Sequence, residues 1–330
     1  MNDKQLVWEY WHSCNGKRKD EIPSELKKYL HEDTFWQGPH PINDLKGLGA
    51  LYEGFWGPFL RAFPGAVREP YILMGGDFKG DRWVSGTGYF RGTFADDWLG
   101  IPATGRETAV RFGEFCKIEA GKISETYIIL DIPDVMRQAG WDVLAPCLGE
   151  PGLAPGPEAG DGILLEEPDP AASAKTLDLV EAMLNGLSDY DESGNLDSMG
   201  QERFWHRDML WYGPHGIGTT YGLKGFQEQH QRPFLEAFPD RKGGNHICRH
   251  ADGLYAASTG WPSLRGTHKG PYMGAAPTGR EFGMRVMDWW RRDGELLGEN
   301  WVFIDLIDFF KQIGVDLFET LAKQIKGKSI

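Results

Sequence analysis

Two histidines, His40 and His215, close the phrases "HEDTFWQGPH" (31–40) and "HRDMLWYGPH" (206–215), which are identical at six of ten positions. Unrelated segments of ordinary composition would share fewer than about one position in ten. Each histidine follows Gly-Pro, where the backbone turns. A neutral imidazole there can hydrogen-bond a substrate carbonyl or pass a proton, or it can tie the turn to a backbone carbonyl. Trp36 and Trp211 precede them as candidate pocket walls. His31, His206, Asp33 and Asp208 are expected at a helix end and its cap.

His268 in "RGTHKG" is a further imidazole, and the matching "RGTFAD" of the first half has Phe94 instead. If His268 lines a pocket, the two halves cannot run identical chemistry, and the second is the better preserved. Arg111 and Arg285 correspond on a strand and could bind a substrate carboxylate, although pairing with Glu114 or Asp288 is the ordinary role for them. Trp98 and Tyr272, near "WLGIP" and "PYMGAAP", could gate a pocket or seal it. Cys14, Cys116, Cys147 and Cys248 show no metal-ligand spacing and read as reduced thiols. No phosphate loop, dinucleotide fingerprint in a βαβ setting, Gly-x-Ser-x-Gly elbow or His-Glu-x-x-His is present, so the expectation is chemistry without metal or nucleotide cofactor.

These residues recur because a whole domain does. "PFLRAFP" (58–64) answers "PFLEAFP" (233–239), "TGRE" (104–107) answers "TGRE" (278–281), and "DIPDVMRQAGWD" (131–142) aligns with "DLIDFFKQIGVD" (305–316). Order and spacing persist over more than a hundred residues, so we read a duplication. The tract between the copies is rich in Pro, Gly, Ala and acid and is expected to be an exposed linker. The boundaries are then 1–147 for the first copy, 148–172 for the linker and 173–330 for the second copy.

Within each copy helical patterns precede strand patterns. "SAKTLDLVEAMLNGL" spaces Leu177, Val180, Met183, Leu184 and Leu187 as one helical face, with Ser173 as the expected cap. "NLDSMGQERFWH" and "KGFQEQHQRPFLEAF" extend the helical signal, the latter bent near Pro233. After Pro239 come hairpin-linked strands, which argues α+β, a mostly antiparallel sheet with helices packed on one face. "ETYIILD" is apolar on both faces and is expected to be covered on both.

Trp211-x-Gly-Pro-His, "GLKGF", "AFPD", "RGTHKG", "APTGRE" and "WVFIDLIDFFKQIG" together closely resemble the SnoaL-like polyketide cyclases of the NTF2-like superfamily. The resemblance covers nearly all of the second copy and, with more drift, the first. It implies a cone-shaped α+β barrel, a curved sheet around helices with an apolar pocket inside. It also implies sheet-to-sheet pairing, which the two copies could make as an intrachain pseudo-dimer, with further homodimerisation open. Asp131 and Asp305 match the family's proposed acid/base at the end of the last strand. One carboxyl in an apolar pocket can remove a proton from an activated carbon and protonate an alkoxide, as aldol ring closure requires. An Asp directly before a helix is also a common N-cap, so both roles fit these positions.

A formal charge of −13 over 330 residues argues against nucleic acid and anionic membranes as partners. The N-terminal run has no apolar core of a secretory signal, and "WVFIDLIDFF" carries two aspartates and is too short to span a bilayer, so a cytoplasmic location is expected. The expected activity is lyase- or isomerase-type acid/base catalysis on a small, mostly apolar carbonyl compound. NTF2-like folds also host dehydratases, hydrolases and non-catalytic binding proteins, so these are the alternatives.

Overall fold

The computed structural model describes residues 2–152, 154–190 and 193–328. In the first copy α1 (Asp3–Ser13) and α2 (Ile22–Tyr29) lead into β1 (Leu30–Gln37) and β2 (Asp44–Lys46). Next come α3 (Gly47–Leu51), a π-helical turn at Tyr52–Trp56 and α4 (Gly57–Ala62). The long strands β3 (Val67–Phe78), β4 (Asp81–Thr93), β5 (Glu107–Glu119) and β6 (Lys122–Leu130) follow, closed by α5 (Ile132–Gln138).

The second copy repeats this plan. It runs α6 (Pro170–Gly186), β7 (Trp205–Tyr212), β8 (Thr219–Tyr221), α7 (Gly222–Phe226), a π-helical turn at Gln227–Gln231 and α8 (Arg232–Ala237). Then come β9 (Lys242–Gly243), β10 (His246–Asp252), β11 (Tyr255–Thr267), β12 (Glu281–Asp293), β13 (Leu296–Ile304) and α9 (Leu306–Gln312). A last helix, α10 (Leu317–Lys328), ends the described chain.

Each copy is α+β around one mixed sheet, ordered β2-β1-β6-β5-β4-β3 in the first and β10-β11-β12-β13-β7-β8 in the second. The hairpin-linked strands are antiparallel, while β1 runs parallel to β6 and β7 to β13. The sheets are open and do not close as barrels. As expected from its apolar faces, "ETYIILD" is buried throughout residues 126–130.

Several local expectations change. His31 and Asp33 lie in β1, and His206 and Asp208 in β7, rather than at helix ends. Pairing with the last strand of each sheet decides this, which local propensity does not contain. Residues 196–203 form only two short 3₁₀ turns. The helix start moves to Pro170, with Asp169 accepting from the Ala171 N–H, because Pro is tolerated in a first turn. The irregularity near Pro233 is the π-turn before it, and Pro233 itself opens α8.

The chain divides into two compact units, Met1–Val143 with Gly160–Leu165 and Asp316–Ile330, and Leu144–Ala159 with Glu166–Val315. The Pro/Gly tract is exposed along much of its length, yet it hydrogen-bonds to strand edges. Leu73 N–H donates to Gly162 O and Leu164 N–H to Leu73 O, while Glu150 and Thr219 exchange two backbone hydrogen bonds at 2.7 and 2.8 Å. Its composition denies it regular structure, but its peptide groups still need partners, and strand edges supply them. Likewise α10 belongs to the first unit. Gln324 donates to Asp142 O at 2.8 Å, and Lys328 Nζ stands 4.1 Å from the centre of the Trp141 ring. No helix among the described residues is long and apolar enough to cross a membrane.

Candidate active site

The repeated Trp-x-Gly-Pro-His phrase has a packing origin. Trp36 and Trp211 are both 2% exposed, and each folds its ring back over the glycine two residues on. A Cβ on Gly38 would lie 2.1 Å from the Trp36 ring, and one on Gly213 2.2 Å from the Trp211 ring. His40 sits in the following turn, its Nδ1 3.2 Å from Asn43 Oδ1. His215 is half-buried in the corresponding turn, where Ile217 and Gly218 N–H both donate to Pro214 O.

Asp131 and Asp305 are N-caps. Their Oδ1 atoms accept from Asp134 N–H at 3.3 Å and Asp308 N–H at 3.2 Å. Three residues on, Asp134 and Asp308 accept from Gln138 and Gln312, whose amides also bond both backbone groups of Ala109 and Gly283. Thus the repeated Asp-x-x-Asp-x-x-x-Gln spacing clips each C-terminal helix to β5 or β12. Asp305 is 2% exposed and also holds Arg285 at 3.1 Å, while Arg285 Nε lies 3.6 Å from Asp308. Arg111 is buried and interacts with Tyr71 and Asp131. Neither arginine takes the ordinary partner expected of it, Glu114 or Asp288. Each stands three positions from that acid on one strand, an odd separation that sends the two side chains to opposite faces.

A cavity of about 720 Å³ opens in the second copy between the sheet, the end of α6 and the start of α8. Asp288, Arg249, Ser258, Val286, Trp290 and Phe234 are among its walls. Asp305, His215, His268, Trp211, Arg285 and Tyr272 are not among the lining residues. Arg249 faces Ser258 across β10 and β11, and Ser258 faces Asp288 across β11 and β12, so the three form one row on the sheet. Asp288 keeps some accessible surface, as a group on a cavity wall does. Burial nonetheless pushes its carboxyl up from 3.8 to about 7, against a hydrogen bond from Asn300 and the charge of Arg249, which both favour the anion.

The first copy fills the same space. Its corresponding row is Leu73, Gly86 and Glu114. Trp11 from α1 covers Gly86, where an added Cβ would come within 2.8 Å of the ring. Arg68 reaches Glu114 at 2.8 Å, both side chains at most 2% exposed, as a close ion pair rather than an aligned hydrogen bond. Its guanidinium lies 4.4 to 4.9 Å from the Phe90, Phe112 and Trp11 rings. By strand register the second copy has Gly243 for Arg68, Leu264 for Phe90 and Val286 for Phe112. Losing these large groups leaves the cavity.

A second difference surrounds the helices. Phe55 stacks on Trp36 at 5.0 Å, and its counterpart His230 stacks on Trp211 at 4.2 Å. Burial pushes His230 down to about 3, so it is neutral at ordinary pH. His268 replaces Phe94, its Nδ1 3.2 Å from Thr278 Oγ1, and desolvation lowers its pKa also. Tyr272 replaces Trp98, which is sealed against Phe59 and Phe63. His230 Nδ1, Gln231 Oε1, His268 Nε2 and Tyr272 OH are all buried without a hydrogen-bond partner. Phe234 touches the His230 and Tyr272 rings and also lines the cavity. Among the described residues, no group of three His, Cys, Asp or Glu could hold a metal ion.

Asp288, Arg249 and His230 were not singled out as site residues from sequence. The available signal was divergence between the copies: Glu114 to Asp288 shortens an acid, and Phe55 to His230 exchanges an apolar ring for an imidazole. Repetition marks what both copies need in order to fold.

Among solved structures, IdmH from Streptomyces antibioticus is 24% identical, covering 41% of this chain and 98% of its own, with a TM-score of 0.33. An NTF2-like protein from Burkholderia xenovorans LB400 is 15% identical over 43% of this chain and 98% of its own, with a TM-score of 0.34. A SnoaL-like polyketide cyclase from Agrobacterium tumefaciens C58 is 18% identical over 42% and 98%, with a TM-score of 0.33. No curated protein matches the chain. The family model for SnoaL-like polyketide cyclases matches twice, at residues 11–139 and 181–313. With both copies matched over most of their length, the chain belongs to the SnoaL-like polyketide cyclase family, as two such domains in tandem.

Proposed function

We propose that the protein is an acid/base enzyme of lyase or isomerase type, acting on a small carbonyl compound in the cavity of the second copy, with Asp288 as the acid/base. The observation that carries this reading is a carboxyl on the wall of a substrate-sized cavity with its pKa raised to about 7. At neutral pH such a group is divided between its two forms. The carboxylate removes a proton from the carbon beside a carbonyl. The resulting enolate carbon attacks a second carbonyl of the same molecule, or shifts its double bond, and the carboxylic acid returns the proton to the alkoxide or to the new carbon position. Ser258 and Asn300 flank Asp288 as hydrogen-bonding groups.

The first copy is then a structural partner, because Trp11 and the Arg68–Glu114 pair occupy its equivalent space. Asp131 and Asp305, the acid/bases implied by the family resemblance, act here as caps. Their hydrogen bonds and the Arg285 partner of Asp305 support this assignment.

The test is turnover of polyketide-like, terpenoid and keto-sugar compounds, followed by mass spectrometry, for the parent and the Asp288→Asn, Asp305→Asn and Asp131→Asn variants. Asp288→Asn is expected to lower kcat/KM by about 100-fold or more, with a parent profile inflecting near pH 7. Full activity in Asp288→Asn with loss in Asp305→Asn would return the role to the cap residue.

A further inference from the structure

The cavity walls are basic in an acidic protein. Arg241, Lys242, Arg249 and His246 line the space against Asp288 alone among acids, although the chain has 48 acidic and 35 basic residues. Arg249 is half-buried among them. Its side chain is 20% exposed and lies 3.6 Å from the half-exposed Glu181, and its Nε is buried without a hydrogen-bond partner. A guanidinium presents a planar fork of donors that matches a carboxylate, and an unpaired buried N–H is costly unless a ligand satisfies it.

We infer that the substrate is a carbonyl compound bearing a carboxylate, bound with that carboxylate on Arg249 and its reacting carbon at Asp288. This rests on the reading of Asp288 as the acid/base and adds the substrate class. The row Arg249, Ser258, Asp288 crosses three neighbouring strands, so the Cα atoms at its ends are roughly 10 Å apart. Tyr190, Phe234 and Trp290 line the remainder and suit an aryl or alkyl body. Arg241, whose guanidinium lies 6.0 Å from the Tyr190 ring centre, and Lys242 add positive potential that favours entry of an anion.

The experiment is calorimetric titration of the full chain with benzoylacetate, phenylpyruvate and 4-phenyl-4-oxobutanoate, each beside its methyl ester, repeated with Arg249→Gln and Asp288→Asn. At least one acid is expected to bind about tenfold or more tighter than its ester. Arg249→Gln is expected to abolish that preference, while Asp288→Asn keeps it. Equal binding of acid and ester, no binding of any acid at millimolar concentration, or an unchanged preference in Arg249→Gln would each overturn the proposal. Far-ultraviolet circular dichroism of each variant checks that the fold is retained, and Arg249→Lys, which keeps the charge and loses the fork, is expected to recover part of the preference. If the preference behaves as expected but Asp288→Asn still turns substrate over, the acid/base assignment fails and the anion site stands. If Asp288→Asn is inactive and the acid has no advantage, only the substrate class fails.

Discussion

Arg249 and Asp288 stand at the two ends of one cross-strand row, separated by Ser258 and facing one cavity. The corresponding row of the first copy ends on Glu114, whose charge is satisfied by the buried Arg68. One sheet geometry thus holds a satisfied ion pair in one copy and an acid raised to about 7 in the other. The difference lies in what fills the space against that face of the sheet.

Asp288 makes stability fall as pH rises. Its folded pKa of about 7 exceeds its ordinary 3.8, so between these values the native state holds a proton that the unfolded chain has released. The full difference is worth on the order of 4 kcal/mol, which solvent screening of a partly exposed carboxyl reduces to roughly 1–3 kcal/mol. Asp288→Asn is expected to gain that amount over the parent at pH 8 and little at pH 4, read from denaturant unfolding at both values.

His230 acts in the opposite sense. With a folded pKa near 3 against an ordinary 6.5, the unfolded chain binds the proton first, and stability is lost as pH falls below about 6.5. Replacing it with the residue of the first copy, His230→Phe, is expected to raise the melting temperature at pH 4.5 more than at pH 7.5. An equal shift at both values would mean that the gain comes from packing alone.

Glu114→Gln leaves the Arg68 guanidinium buried without its counter-charge and is expected to cost about 3–5 kcal/mol. Replacing both partners, Arg68→Met with Glu114→Leu, is expected to recover most of that loss, because two desolvated charges are exchanged for apolar packing. Urea unfolding of the parent, the single variant and the double variant supplies the comparison.

Asp305→Ala removes a helix cap and leaves Arg285 short of its closest acid, so a loss of about 1–2 kcal/mol is expected, with kcat within a few-fold of the parent. Thermal unfolding and turnover measured on one preparation check both halves. A hundredfold fall in kcat would make Asp305 a participant in the reaction.

The sequence by itself determined the duplication, the α+β class, the succession of helices and then strands, and the family. Each rests on patterns that repeat along the chain: the Trp-x-Gly contact, the Asp-x-x-Asp-x-x-x-Gln clip, and the succession of hairpin-linked strands. Asp131 and Asp305 match the acid/base of the family and also stand directly before a helix, and in the fold each accepts a hydrogen bond as a cap. Only the tertiary structure decided where a pocket exists. The cavity depends on what is missing from the second copy, with Gly243 at the place of Arg68 and Val286 at that of Phe112, and on a strand register that brings residues 249, 258 and 288 side by side. Residues distant in sequence become a site only when hydrogen-bonded strands fix their registry, and a pKa moves only when packing removes water from the group.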